Sequence, residues 1–282
     1  KPLVWGPTGG MHISPWCLLP HIGLYGLIYY GLRNLINIWQ MHTKTTPKKM
    51  AQKSNAIIAA TKDAQDAIKS LWKKNAIIIP EVGLSHSSLL VEPTTRNGNL
   101  KLVWSGTHTP SKGLNFLLEA LSISTHADDI ELHVLGKGVY SERWKKIAKE
   151  LKVKNVIWYG WIDRDKAIQI MKDCHLFCIT SMADLTSSVL LESLSYGLPV
   201  IAPDCFGFSN TITEDCGIKI PVSNKKQYVS DYAHAIDSIF ENENNRIQLA
   251  NGALRRAQDF RWDKKAEMID KIYHDVVASS KK

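Results

Sequence analysis

From residue 100 onward, short apolar runs alternate with amphipathic stretches at an even spacing. The runs at 100–105, 131–135, 155–159, 175–180, 199–202 and 217–220 read as strands. Between them, the stretches near 112–122, 141–151, 164–172 and 188–196, and a short one after Phe208, repeat their apolar residues at helical spacing. Strands that alternate with helices of about 10–15 residues predict βαβ units and one parallel sheet. A doubly wound sheet of this kind takes ligands at the carboxyl ends of its strands, near the switch in strand order. Three more helices are predicted over 225–241, 243–259 and 262–278.

The first part of the chain has a different texture. The runs at 3–5, 56–60 and 76–79 read as buried parallel strands, with a helix over 62–73 after Thr61 and a stop at Pro80. The polar, turn-rich stretch 92–99 marks a boundary. The prediction is therefore an α/β protein with one Rossmann-like unit over 1–98 and a second over 99–258. Residues 13–39 are apolar and aromatic, but Pro15, Pro20, His21, Arg33 and several glycines interrupt them. That run lacks the roughly 20 clean apolar residues of a membrane span. It predicts a helix pair, packed on the core or lying in an interface.

Composition adds limits. The chain has 282 residues, 44% hydrophobic and 22% charged, which is ordinary for a globular protein. The formal charge of +8 points to an anionic partner: a nucleotide, a nucleic acid or an acidic membrane face. Lys44, Lys48, Lys49 and Lys53 form one polar stretch, and Lys145, Lys146, Lys149, Lys152 and Lys154 another, which reads as a solvated helix face. With the charge taken as dispersed, and no helix-turn-helix, zinc or RNA-recognition pattern, nucleic acid is not expected. The five cysteines are scattered, which fits a reducing compartment and no disulfide framework. Cys174 and Cys178 are expected on one buried strand face, and no metal site is expected. The reducing-compartment reading makes a cytoplasmic protein the expectation. The chain opens on Lys1, not Met, and shows no signal peptide in these residues, so its real start is expected to be absent.

The strongest local signal lies after the predicted strand 175–180. Asp184 and Glu192 are separated by seven residues, and the stretch closes on Gly197 and Pro199. Thr186 or Ser187 can cap a helix that begins near Ser188. Glu192 then falls one turn inside, facing the strand ends. Two carboxylates thus flank a helix N-terminus, whose free N–H groups suit a phosphate or a sugar hydroxyl. A second stretch runs from Trp104 through Gly106, Thr107, Lys112 and Gly113 into helical Leu114, Leu117 and Leu118. A third places Gly136 and Gly138 after a strand, and a fourth places Trp161 and Ile162 after Gly160. Near the start, Gly9, Gly10 and His12 follow a short strand.

On these residues the chain resembles the family 4 retaining glycosyltransferases of the GT-B fold. Asp184 stands where that family usually has Glu, and Thr107 where it usually has Arg. The resemblance implies two Rossmann-like domains facing across a cleft, with the early part of the N-terminal one missing. It implies that Phe260 and Trp262 open a C-terminal helix, over 259–282, that crosses back to the first domain. Asp184 and Glu192 are the implied catalytic pair, Glu192 also holding the nucleotide ribose. Gly106, Thr107, Lys112, Gly136, Trp161, Ser187 and Ser188 are the implied donor contacts, and Gly9, Gly10 and His12 the acceptor-side cleft. The implied reaction moves a hexose from a nucleotide diphosphate sugar to a glycan or lipid-linked acceptor, in polysaccharide biosynthesis, without metal or cofactor. An anionic surface at the inner face of the cell membrane is an implied partner. The alternative is a non-catalytic nucleotide-sugar-binding module or partner subunit.

Overall fold

The computed structural model describes residues 1–43, 46–85 and 92–280. Lys44, counted above in a basic stretch, lies outside them.

The first unit holds β1 (Val4–Thr8), α1 (Leu24–His42), α2 (Thr46–Lys53), β2 (Ala56–Ala59), α3 (Lys62–Trp72) and β3 (Ile77–Ile78). Its strands form a parallel sheet in the order β1-β2-β3. Thr61 caps α3, its hydroxyl accepting from the Ala64 N–H at 3.2 Å. The interrupted stretch 13–39 differs from the expected helix pair: one helix, α1, follows a single 3-10 turn at Leu19–His21. Pro20 sits inside that turn, where its missing N–H does no harm, and Gly26 within α1 permits close packing. An added Cβ at Gly26 would come within 2.9 Å of Pro110.

The second unit alternates β4 (Leu100–Ser105), α4 (Leu114–Ile123), β5 (Ile130–Leu135), α5 (Ser141–Glu150), β6 (Val156–Gly160), α6 (Arg164–Lys172) and β7 (Leu176–Cys178). It continues through α7 (Ser188–Ser195), β8 (Val200–Pro203), α8 (Phe206–Thr211), β9 (Gly217–Ile220), α9 (Lys225–Glu241) and α10 (Glu243–Gln258). All six strands are parallel, in the order β6-β5-β4-β7-β8-β9. The order reverses between β4 and β7, and a crevice opens beyond their carboxyl ends. α8 begins at Phe206, ahead of the position read from sequence.

The sheet is covered on both faces. Leu102 and Trp104 of β4 point into one core with Phe116, Tyr228 and Ile236, while Val103 points into the other with Phe177, Leu190 and Phe208. The two cysteines expected on one face are split: Cys178 belongs to the first core and Cys174 to the second. β7 covers only 176–178, so Cys174 sits in the turn before it and does not follow the strand's alternation.

The units are joined tightly. Leu18, Leu19 and Ile22 are buried in the first core of the second unit. Each contributes roughly 1.5–3 kcal/mol by burial, far more than one surface hydrogen bond. α11 (Trp262–Ser279) runs back along the first sheet, where Ile272 and Val276 pack with Ile58 and Ile79. At its start Lys265 donates to the carbonyls of Pro80, at 2.8 Å, and Val82. Burial holds its ammonium down to about 8.

Candidate functional site

The site is built where β4 and β7 part. β4 ends in a turn, Gly106 to Thr109, then a 3-10 turn, Pro110–Lys112, and Gly113 at φ +60°. An added Cβ at Gly113 would stand 2.5 Å from the Thr180 carbonyl, so only glycine lets this turn lie on the exit of β7. The Thr180 hydroxyl ties both sides: it donates to the Lys112 carbonyl at 2.8 Å and accepts from the Trp104 indole at 3.0 Å. The Met182 N–H donates to the Ser111 carbonyl at 2.6 Å. These bonds aim Lys112 across the crevice, where its Nζ meets Asp184 Oδ2 at 2.5 Å. The other Asp184 oxygen accepts from the Leu185 N–H at 3.1 Å.

Lys112, Asp184 and Ser187 border one narrow slot with Ser105 and Thr180. Ser105 also borders an adjoining cavity of about 260 Å³, lined by Gly106, Thr107, Gly136, Gly160, Trp161 and Ile162. Gly136 has φ +105°, and an added Cβ there would fall 2.1 Å from the Gly106 carbonyl. The turns after β4 and β5 therefore touch through bare backbone. Trp161, in the lining of that cavity, is 73% exposed. A larger cavity, about 310 Å³, lies at the seam near Arg256, Phe260 and Lys265 and contains none of the expected catalytic, donor-contact or acceptor-side residues.

Ser187 occupies the N-cap position of α7, but its side chain makes no capping bond, and Ser188 is exposed in the first turn. The first N–H groups of α7 thus lack a side-chain acceptor. Glu192 lies one turn in, and its Oε1 accepts from Arg164 Nη2 at 2.7 Å. Each carboxylate therefore has its own cation: Lys112 for Asp184, Arg164 for Glu192. His108, next to Thr107, is buried among Trp104, Trp144 and Trp158. Its Nδ1 bonds Ser141 Oγ at 2.9 Å, and burial pushes its pKa down to about 4, so it offers no cation. Thr107 is exposed and lines the larger cavity.

The first unit supplies the opposite wall. Gly9 lies against Leu185, where an added Cβ would be 2.7 Å from its Cδ1, while Gly10, at φ +90°, faces open space. Both also line a cavity of about 190 Å³ with Trp5, Met41 and Trp72. His12 is buried and not at the cavity surface: Arg33 bonds its Nε2, Phe206 meets it edge-on, and its Nδ1 is unpartnered. Burial first, then the Arg33 charge, pushes its pKa down to about 4, against a smaller upward pull from Asp184. His12 is thus a neutral imidazole.

Three contacts were not read from sequence. Glu81 Oε1 accepts from the Thr186 N–H at 3.1 Å and holds the loop between Asp184 and Ser187. Asp63 accepts from the Phe206 N–H at 3.0 Å, across the seam. Arg164 holds Glu192. Each pairs residues far apart in the chain, and no local pattern signals them.

Lys112, Asp184 and the start of α7 meet at the slot, while Glu192 lines neither the slot nor the adjoining cavity. A cation beside a helix N-terminus suits an anionic, hydroxyl-rich ligand. Residues 91–256 match the family model described as glycosyl transferases group 1. The chain is 24% identical over 215 residues to a phosphatidyl-myo-inositol mannosyltransferase of Mycobacterium leprae, covering 74% of this chain and 56% of that one. It is 28% identical over 127 residues to a lipopolysaccharide 1,6-galactosyltransferase of Salmonella typhimurium, covering 43% and 35%. The chain therefore spans about half or less of these relatives' lengths. Among solved structures it is similar to the pneumococcal O-GlcNAc transferase GtfA in complex with UDP and GlcNAc. That likeness has a TM-score of 0.65 at 18% identity, over 85% of this chain and 47% of that chain.

Proposed function

This chain belongs to the glycosyl transferases group 1 family, and from that premise we propose that it moves a hexose from a nucleotide diphosphate sugar to a glycan or lipid-linked acceptor. The observation that carries the reading is the meeting of Lys112 and Asp184 in the slot between β4 and β7, beside the cavity of Gly106 and Trp161.

In this reading the base lies in that cavity against Trp161, and Glu192 accepts from the ribose hydroxyls. The diphosphate sits over Lys112 and the first N–H groups of α7. These groups stabilise the charge that gathers on the diphosphate as it departs, which is the work a metal ion does elsewhere. The bond between the anomeric carbon and the phosphate oxygen breaks, and its electron pair leaves with the nucleoside diphosphate. The acceptor oxygen bonds to the anomeric carbon on the same face, and its proton passes to the departing diphosphate. Asp184 orients the sugar, and the wall of Gly9 and Gly10 receives the acceptor. The positive charge suits work at the inner face of a cell membrane.

Glu192→Ala tests the assignment. Losing a carboxylate that accepts hydroxyl hydrogen bonds costs about 1.5–3 kcal/mol, so nucleoside diphosphate binding should weaken by roughly 10- to 100-fold. Transfer should nearly vanish. Unchanged binding and unchanged transfer in this variant would remove Glu192 from the site and the reading with it.

A further inference from the structure

The loop between β7 and α7, residues 179–187, carries Asp184 and ends at the N-cap position of α7. Part of its hold comes from the second unit itself. The Met182 N–H donates to the Ser111 carbonyl at 2.6 Å, and the Gly207 N–H donates to the Leu185 carbonyl at 3.0 Å. Another hold comes from outside that unit. The Thr186 N–H, two residues past Asp184 and two before α7, donates to Glu81 Oε1 at 3.1 Å. Glu81 lies on the linker that leaves β3 for the second unit.

The linker is itself clamped. Lys265 is buried at the start of α11 and donates to the carbonyls of Pro80, at 2.8 Å, and Val82, one on each side of Glu81. The rings of Phe260 and Trp262 lie 5.7 and 5.4 Å from its ammonium. The Leu84 N–H donates to the Phe260 carbonyl at 2.9 Å, and the Trp262 N–H donates to the Leu84 carbonyl at 3.1 Å. At Gly83 an added Cβ would stand 2.8 Å from the Trp262 ring, so the two segments lie in contact. The Glu81 charge also acts on Lys265, pulling its pKa up against the larger effect of burial. Glu81 Oε2 is buried with no protein partner, so the Thr186 amide and the charge of Lys265 are what the fold offers this carboxylate. A charged acceptor holds an amide more firmly than a neutral one does.

We propose that Glu81 is a positioning residue for Asp184 and the start of α7, and that Lys265 sets Glu81 by gripping the linker on both sides of it. Glu81 lines neither the slot nor the adjoining cavity, so it acts through the loop and not on a ligand. The backbone carries the effect. A shift of the Thr186 amide moves Asp184 on one side and the first N–H groups of α7 on the other. The loop is therefore in place while the start of α11 is seated on the linker, and the junction of the two units and the donor site form together. The kinetic consequence rests on the glycosyltransferase reading; the placement of the loop does not.

Hydrogen exchange at the Thr186 amide of the full chain, without ligand, tests the placement. Exchange should be about tenfold faster or more in Glu81→Ala and close to native in Glu81→Gln, whose amide oxygen still accepts. With a panel of UDP-sugars and GDP-sugars, kcat for release of the nucleoside diphosphate should fall roughly 10- to 100-fold in Glu81→Ala, the loss of one charged hydrogen bond. Affinity for UDP or GDP alone should stay within about threefold of native, because Lys112, Glu192 and Trp161 are untouched. Glu81→Gln should recover most of kcat. Lys265→Met should slow release in the same way, and the double variant with Glu81→Ala should be no slower than Glu81→Ala alone. Equal exchange in the native chain and in Glu81→Ala overturns the proposal, whatever the activity. So does a Glu81→Gln chain as slow as Glu81→Ala, or a fall in nucleotide affinity that matches the fall in kcat. Losses that add in the double variant overturn the part given to Lys265. An absence of thermal shifts with the same sugars strikes the glycosyltransferase assignment instead, and the exchange result still decides the loop.

Discussion

Lys112 and Asp184 neutralise each other across the crevice, and a bound diphosphate would compete for the same ammonium. Their side chains are only 27% and 19% exposed, so the pair is screened less than a surface ion pair. Removing Lys112 leaves a partly buried carboxylate alone. Lys112→Ala should therefore destabilise the protein, and Asp184→Asn in the same chain should recover part of the loss, with a coupling of about 1 kcal/mol in a denaturation cycle. The double variant should not recover donor affinity. Kinetically, Lys112→Ala should raise the KM for donor more than that for acceptor; equal rises would count against its phosphate role. Asp184 and Glu192 were legible because their spacing and the closing Gly197 and Pro199 are local. Their partners were less so. Lys112 lies 72 positions from Asp184, and Arg164 lies 28 from Glu192. Arg164 read only as a helix opening, because its meaning is made by the packing of α6 beside α7. At 75% exposure its ion pair adds little stability, so its value lies in aiming Glu192.

Among the elements, the turn between β4 and α4 does the most positioning. Gly113 combines φ +60° with a 2.5 Å approach to the Thr180 carbonyl. Gly113→Ala must twist the turn off β7 or strain the backbone, at a cost of about 2 kcal/mol or more. The melting temperature should fall by several degrees, and donor affinity should fall with it because the turn aims Lys112. An unchanged melting temperature would mean that the two backbones do not meet there. Strands and helices of the second unit were legible because period two and period 3.6 alternate cleanly from Leu100. α1 was not. Its exposed apolar side chains and its buried Gly26, Gly31 and Asn34 lie on different faces, so the apolar pattern did not mark the packed one. Thr186 and Ser187 were both readable as caps; the structure puts Ser187 at the N-cap position and gives the loop's support to Glu81, from the far side of the boundary.

For the molecule as a whole, buried histidines set the acid limit. Burial drives His12, His108 and His175 from 6.5 down to about 4, helped by Arg33, Lys145 and Arg246 respectively. Below pH 6.5 the unfolded chain binds protons that the native chain refuses, so stability falls as pH drops from 6.5 toward 4. Thermal melting should show this decline already above pH of about 5, before the carboxylates titrate; a flat profile there would contradict the burial of all three. The two-sheet α/β plan was visible in the sequence and the resemblance implied the returning C-terminal helix, but the other join was not legible, since Leu18, Leu19 and Ile22 enter the core of a sheet that begins some eighty residues later. One contact between the units sets a tolerance for the entire machine. Gly9 meets the side-chain tip of Leu185 at a distance where a methyl group would push that tip aside. A larger residue at position 9 therefore presses first on a flexible leucine of the loop after β7, so the seam between the two units can yield there before the backbones part.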